Sequence, residues 1–169
     1  MPNGEDAACA ALGIPSHLHQ LGRPADQQFA DGELLYRRVP ENIALIGQLV
    51  PPEAFTTRSM SVNRERYSNA PEDVLYNVED GRHYTTSGVV AFTVGLVRSL
   101  SRMHPQIKNM VFTLAPVHAP IRCMYPHTEI EVRGNGERLG EIKPASVRTW
   151  IKSRIAEGST VTRRPAGAG

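Results

Sequence analysis

Residues 110–132 read MVFTLAPVHAPIRCMYPHTEIEV. An apolar run, 110–115, enters this stretch, and an alternating run, Thr128 to Val132, leaves it. Between them lie three prolines, Pro116, Pro120 and Pro126. An apolar run, a proline-punctuated connection and a period-two run predict strand, tight turn and strand. Immediately downstream, Asn135-Gly136 is a preferred hairpin pair, because both residues tolerate positive φ. Residues 128–133 and 138–142 are its two predicted arms. Residues 144–157 then carry Val147, Trp150, Ile151 and Ile155 near the helical period, and Gly158 ends the helix. Sheet-forming hairpins followed by one packed helix predict an α+β fold. It is read as a single domain, with a largely antiparallel sheet and a C-terminal amphipathic helix.

Upstream, residues 33–39 (ELLYRRV) lie between Asp31-Gly32 and Pro40 and read as a strand. Leu34, Tyr36 and Arg38 share one face of it; Leu35, Arg37 and Val39 share the other. One arginine therefore points where apolar residues point, and if covered it needs a carboxylate, phosphate or carbonyl partner. The other reading is an edge strand with both arginines solvated. Residues 41–50 read as a short helix or an extended segment. Residues 86–100 read as a strand followed by a helix or bend, with one continuous helix as the alternative. Residues 101–108 read as a loop. Residues 1–30 read as a partly ordered arm, 31–158 as the globular domain and 159–169 as a disordered basic tail.

A chain of 169 residues can bury a sizeable core. A net charge of +2 is too small to argue for nucleic acid by itself. Cys9 and Cys123 are the two cysteines, too few for a secreted disulfide framework. Free thiols and a reducing, cytoplasmic setting are expected. The N-terminus lacks the basic patch and apolar core of a signal peptide. No apolar run approaches the roughly 20 residues of a membrane helix.

Residues 116–132 concentrate His118, Arg122, Cys123, Tyr125, His127, Glu129 and Glu131, groups that transfer protons or bind metals. His127-Thr128-Glu129 matches the H-x-E of the zinc nucleobase deaminases, in which the histidine holds zinc and the glutamate shuttles protons. The Pro-Cys-x-x-Cys those enzymes require downstream is missing. A different zinc set is His118, Cys123 and His127, completed by Glu129 or water, since imidazole and thiolate donors suit zinc.

Three short pieces resemble the ADP-ribosyltransferases. These are an arginine on an early strand (Arg37 or Arg38 in LLYRRVP), serines on a following strand (Ser59 and Ser61 in RSMSV), and a late glutamate (Glu129 in PHTEI). The resemblance implies that the arginine binds a phosphate of NAD and the serine braces the site. Glu129, with His127 beside it, would orient the ribose as the glycosidic bond breaks. A cation for pyrophosphate and a carboxylate for an oxocarbenium-like centre fit that chemistry. The sequence lacks the clean Ser-Thr-Ser of the family. Residues 33–131 also resemble short uncharacterised bacterial proteins with ELLYRR, MSV and PHTEI segments. That resemblance implies a bacterial, cytoplasmic protein and carries no activity.

Cys123 has two histidines nearby but no glycine-rich elbow, so a nucleophilic triad is not supported. No phosphate loop is present. Arg148, Lys152, Arg154, Arg163 and Arg164 place positive charge near the C-terminus. They are read either as a solvated face or as a contact for nucleic acid or an acidic partner. The sequence leaves open whether the chain is an enzyme. Its leading reading is a small partner-binding or accessory protein. The alternatives are a nucleotide- or NAD-handling enzyme of ADP-ribosyltransferase type and a zinc hydrolase or deaminase.

Overall fold

Eight strands form one antiparallel sheet in the computed structural model, which describes residues 4–166. In chain order the elements are α1 Gly4–Ala11, β1 Leu34–Val39, β2 Met60–Arg64, β3 Gly88–Thr93, α2 Val94–Ser99 and β4 Ser101–Met103. They continue with β5 Val111–His118, β6 His127–Gly134, β7 Glu137–Leu139, α3 Ala145–Glu157 and β8 Thr160–Arg163. The sheet order is β4-β5-β6-β2-β1-β3-β8, and β7 pairs with β6 off this path. A mostly antiparallel sheet with three helices is the α+β architecture that the hairpin and helix signals predict.

The β5 and β6 strands alternate strictly between buried and half-buried positions, as a strand with one core face must. Asn135 and Gly136 close the β6–β7 hairpin with φ of 49° and 84°, the left-handed pair that a two-residue turn demands. Phe112, Leu114, Ile130 and Val132 point from these strands into the main core. There they join Leu35, Met60, Val62, Val90 and Phe92. Val94 and Val97 of α2 and Val147, Ile151 and Ile155 of α3 cover that face. Each such aliphatic side chain contributes about 1.5–3 kcal/mol by leaving water. Thr93 caps α2 by accepting from the Leu96 N–H at 3.1 Å.

Several sequence expectations change. Residues 86–100 keep their first reading, a strand and then a helix, and the single-helix alternative falls away. The β1 strand is interior, paired on both sides, not an edge. Residues 41–50 form turns around an Ile46–Leu49 bridge. Ser101–Met103, expected in a loop, is a short edge strand. Residues 160–163 of the expected tail pair with β3, because Gly88 leaves room for the Arg163 carbonyl at 3.0 Å from where a Cβ would stand. Residues 167–169 of that tail and 1–3 of the expected arm lie outside the described residues.

The rest of the expected arm is packed. Cys9, Ile14 and Leu18 are fully buried or nearly so, and with Cys123 and Met124 they form a second, smaller cluster on the other side of the sheet. A disulfide joins Cys9 to Cys123 across 114 residues, so the two thiols expected to be free are bonded. A third cluster, Tyr36, Leu75, Val89 and Ala91, lies between β1, β3 and the turn Pro71–Leu75. Among the described residues no helix is long and apolar enough to cross a membrane.

Candidate functional site

The β1 strand pairs with β3 at all six of its positions but with β2 at only two, Leu35 to Arg64 and Tyr36 to Asn63. Beyond Tyr36 the two strands part. The gap is a cleft of about 420 Å³, lined on one side by Arg37, Arg38, Ser61 and Asn63 and on the other by Tyr76, Asn77, Met124 and His127. A sheet that opens between two interior strands exposes backbone carbonyls that need donors. Arg37 supplies them. It stands on the core face between Leu35 and Val39, and its Nε donates to the Ala54 carbonyl at 2.8 Å. Its Nη1 donates to the Ser61 carbonyl at 3.0 Å. The covered arginine thus finds carbonyls, one of the three partners its position called for.

Burial, and secondarily the charge of Arg38, lower the Arg37 pKa to about 10. Arg38, on the opposite face, lies over the Tyr84 ring at 4.3 Å and donates to the Ser87 hydroxyl at 3.3 Å. Among the described residues, neither arginine makes an ion pair with a carboxylate. Two arginines against one lining carboxylate, Glu79, leave the cleft with an excess of positive charge that favours an anion.

His127 enters the cleft from β6. Its Nδ1 donates to the Ala119 carbonyl at 2.8 Å, and its Nε2 faces the Ser61 hydroxyl at 3.4 Å. Glu129 stands two residues along the same strand, directly opposite Ser61 in the β2–β6 register. Its carboxylate lies 3.6 Å from Arg138. Arg38, Ser61 and Glu129 therefore occupy one face of three adjacent strands. Ser59 precedes β2, is exposed, and is not part of the cleft lining.

The proposed zinc donors are not brought together. Cys123 is bonded to Cys9. The Nδ1 of His118 accepts from the Asp26 N–H at 2.8 Å, and its Nε2 donates to the Tyr125 carbonyl at 2.7 Å. Both nitrogens are thus used by a neutral ring, whose pKa burial pushes below the usual value. Among the described residues no three His, Cys, Asp or Glu side chains are placed to hold a metal ion.

His118 belongs to a structural cluster that binds residues 23–33 to the sheet. It stacks on Tyr67, which donates to the Asp26 carboxylate at 2.6 Å. That bond holds Asp26 below the usual carboxylate range and pushes Tyr67 up to about 12. Arg64, fully buried, grips both oxygens of Glu33 at 2.8 and 2.9 Å and donates to the carbonyls of Asp26 and Gln28.

Several of the basic C-terminal residues have partners within the chain. Arg148 is spent on the carbonyls of Ile142 and Lys143, and Arg154 pairs with Glu157 at 3.0 Å. Arg163 ends the edge strand β8 and donates to the Thr85 carbonyl, with Arg164 following it. Lys152 lines a shallow depression with Arg58 and Glu141, which are ion-paired at 2.8 Å.

Sequence reading placed Arg37, Arg38, Ser61 and His127 in candidate sites but missed Asn63, Tyr76, Asn77 and Met124. Asn63 is two residues from Ser61, so strand alternation alone puts it on the same face. Met124 sits in the tight turn beside Cys123, whose φ of 65° no local residue pattern announces. No family model matches the sequence, and no curated protein or solved structure matches it.

Proposed function

We propose that the chain binds a small anionic ligand of nucleotide type in the cleft between β1 and β2. One observation carries this: Arg37 and Arg38 line the same opening as Ser61, Asn63, Asn77 and His127, with Glu79 as the one acidic residue of that lining and no ion pair to either arginine. Guanidiniums with hydroxyl and amide neighbours match the oxygens of phosphate and ribose. The alignment of Arg38, Ser61 and Glu129 on adjacent strands supports NAD as the first ligand to test. With both sulfurs bonded, free thiols no longer argue for a reducing compartment, and a structural disulfide favours an oxidising one.

A second reading, a partner-binding accessory protein, rests on Ile46 and Leu49. They stand 71% and 73% exposed at a tight turn. A thermal-shift titration with NAD, ADP, AMP and inorganic phosphate separates the two. A ligand at 100 times its dissociation constant adds about 2.7 kcal/mol to stability. The shift is expected in the parent and lost in Arg38→Ala, whose unliganded melting temperature stays close to the parent's. Arg37→Ala is a poorer probe, because it also strips donors from two carbonyls. No shift with any of the four ligands removes the nucleotide reading and leaves the partner-binding one.

A further inference from the structure

We infer that Ser61 and His127 form a nucleophile and general-base pair, suited to acyl transfer from an ester that carries an anionic group. The charge preference rests on the anion-binding reading of the cleft; the nucleophile itself does not. Three placements converge on it. First, the imidazole tautomer is set. Nδ1 gives its proton to the Ala119 carbonyl, so the lone pair of the neutral ring is on Nε2, the atom facing Ser61 Oγ. That carbonyl is itself held, since the Ala119 N–H donates to the His127 carbonyl at 3.1 Å. Second, the nucleophile is accessible and its backbone is anchored. Ser61 is exposed on β2, paired with Glu129 of β6, and its carbonyl accepts from Arg37. Third, Arg38 lines the cleft on the same face as the Ser61 side chain, where its charge offsets that of a tetrahedral oxyanion.

The 3.4 Å separation is long for a hydrogen bond, as catalytic contacts often are before substrate binds. A carbonyl in place of the carboxylate of a full triad orients the ring without compensating its positive charge, so the base is weaker than in a triad. Glu129 does not fill that role, because its carboxylate faces Arg138.

In the reaction, Ser61 Oγ bonds to the ester carbonyl carbon as its proton passes to His127 Nε2. The tetrahedral adduct expels the alcohol oxygen, which takes the proton from Nε2. Water then attacks the acyl carbon and gives a proton to Nε2. Ser61 Oγ leaves and recovers that proton, releasing the acid.

The test is labelling of the full chain with a neutral fluorophosphonate, followed by intact mass and peptide mapping. The serine oxygen displaces fluoride, and His127 receives the serine proton. One adduct is expected, on Ser61. It disappears in Ser61→Ala and forms about 100-fold more slowly in His127→Gln, with both variants melting near the parent temperature. No adduct on Ser61 of the folded protein overturns the inference. So does a labelling rate unchanged in His127→Gln, since a merely exposed serine behaves that way. Fluorophosphonate labelling together with no thermal shift by anions keeps this pair and discards the anion-binding reading. Anion binding without labelling does the reverse.

Discussion

Two regions of the molecule are built on different principles. One is the core under α2 and α3, made of aliphatic and aromatic side chains spaced by strand and helix periods. The other is the covering that residues 4–33 and short turns lay on the sheet. It is held by a buried arginine, a buried neutral histidine, a disulfide and stacked rings. The first region stabilises by area, which is non-directional and tolerant of exchange among apolar residues. The second stabilises by partnered polar groups, which are directional and costly when one partner is lost. The cleft opens within the second region. Its Tyr76, Val78 and Met124 belong to, or pack against, the cluster that holds both cysteines. Candidate chemistry therefore sits where the covering is made of specific bonds.

The largest break in this comparison is Arg64→Ala. Arg64 is fully buried and satisfies the Glu33 carboxylate and two carbonyls, and its guanidinium lies over the Phe29 ring at 4.0 Å. Removing it leaves an almost buried carboxylate without its cation, which costs about 3–5 kcal/mol. Urea denaturation is expected to show that loss. A loss below about 1 kcal/mol would mean that Glu33 finds water or another partner, and that this region depends less on specific bonds. Arg64→Met, which fills the volume but keeps the orphaned Glu33, is expected to lose nearly as much. Coupling it with Glu33→Gln recovers part of the loss.

The same contrast explains what could be read from sequence. The main core was legible because its signals are local. Alternation in residues 111–118 and 128–133, Asn135-Gly136 between two arms, and Val147, Ile151 and Ile155 at helical spacing each fall within one element. The arginine pair was half legible: alternation showed that one guanidinium must be covered, but not that it would bridge to the carbonyls of Ala54 and Ser61. The second region was mostly illegible because its contacts join residues far apart in the chain. Cys9 meets Cys123, Asp26 meets His118, and Glu33 meets Arg64. Each reads alone as an ordinary polar residue or a free thiol. Arg64 had one overlooked clue. It follows Met60 and Val62 at period two, so its side chain had to enter the core face.

The disulfide ranks next in size. Closing a long loop restricts the unfolded chain, and its loss costs about 2–4 kcal/mol. Cys9→Ser is expected to lower the denaturation midpoint by that amount. It should also weaken any ligand of the cleft, because Met124 and Tyr76 lose the staple behind them. Calorimetric titration with the ligand that gives the largest thermal shift checks the second effect. Equal affinity with lower stability would confine the staple to the fold and separate the cleft from the cluster behind it.

The smallest effect sharpens the comparison through pH. His118 is buried and neutral, and its folded pKa lies below the ordinary 6.5 because burial disfavours the cation. Arg64 opposes protonation further, while the Tyr125 carbonyl, Asp26 and Glu33 favour it. The unfolded chain therefore binds this proton first as the pH drops. Stability from this site is intact above about 6.5, falls as the pH goes from there to the folded pKa, and falls no further below it. One proton limits the slope to about 1.4 kcal/mol per pH unit. Asp26 shifts down too, chiefly through the Tyr67 hydroxyl, and its contribution is lost only below 3.8, in a separate window. Urea midpoints measured from pH 7.5 to 4.5 are expected to decline below 6.5 in the parent. In His118→Gln the decline is shallower, on top of a lower starting stability. A parallel decline in both proteins would mean that the slope does not arise at His118. The acid sensitivity would then lie outside the stacked rings, and the buried histidine would contribute packing and hydrogen bonds without a pH dependence of its own.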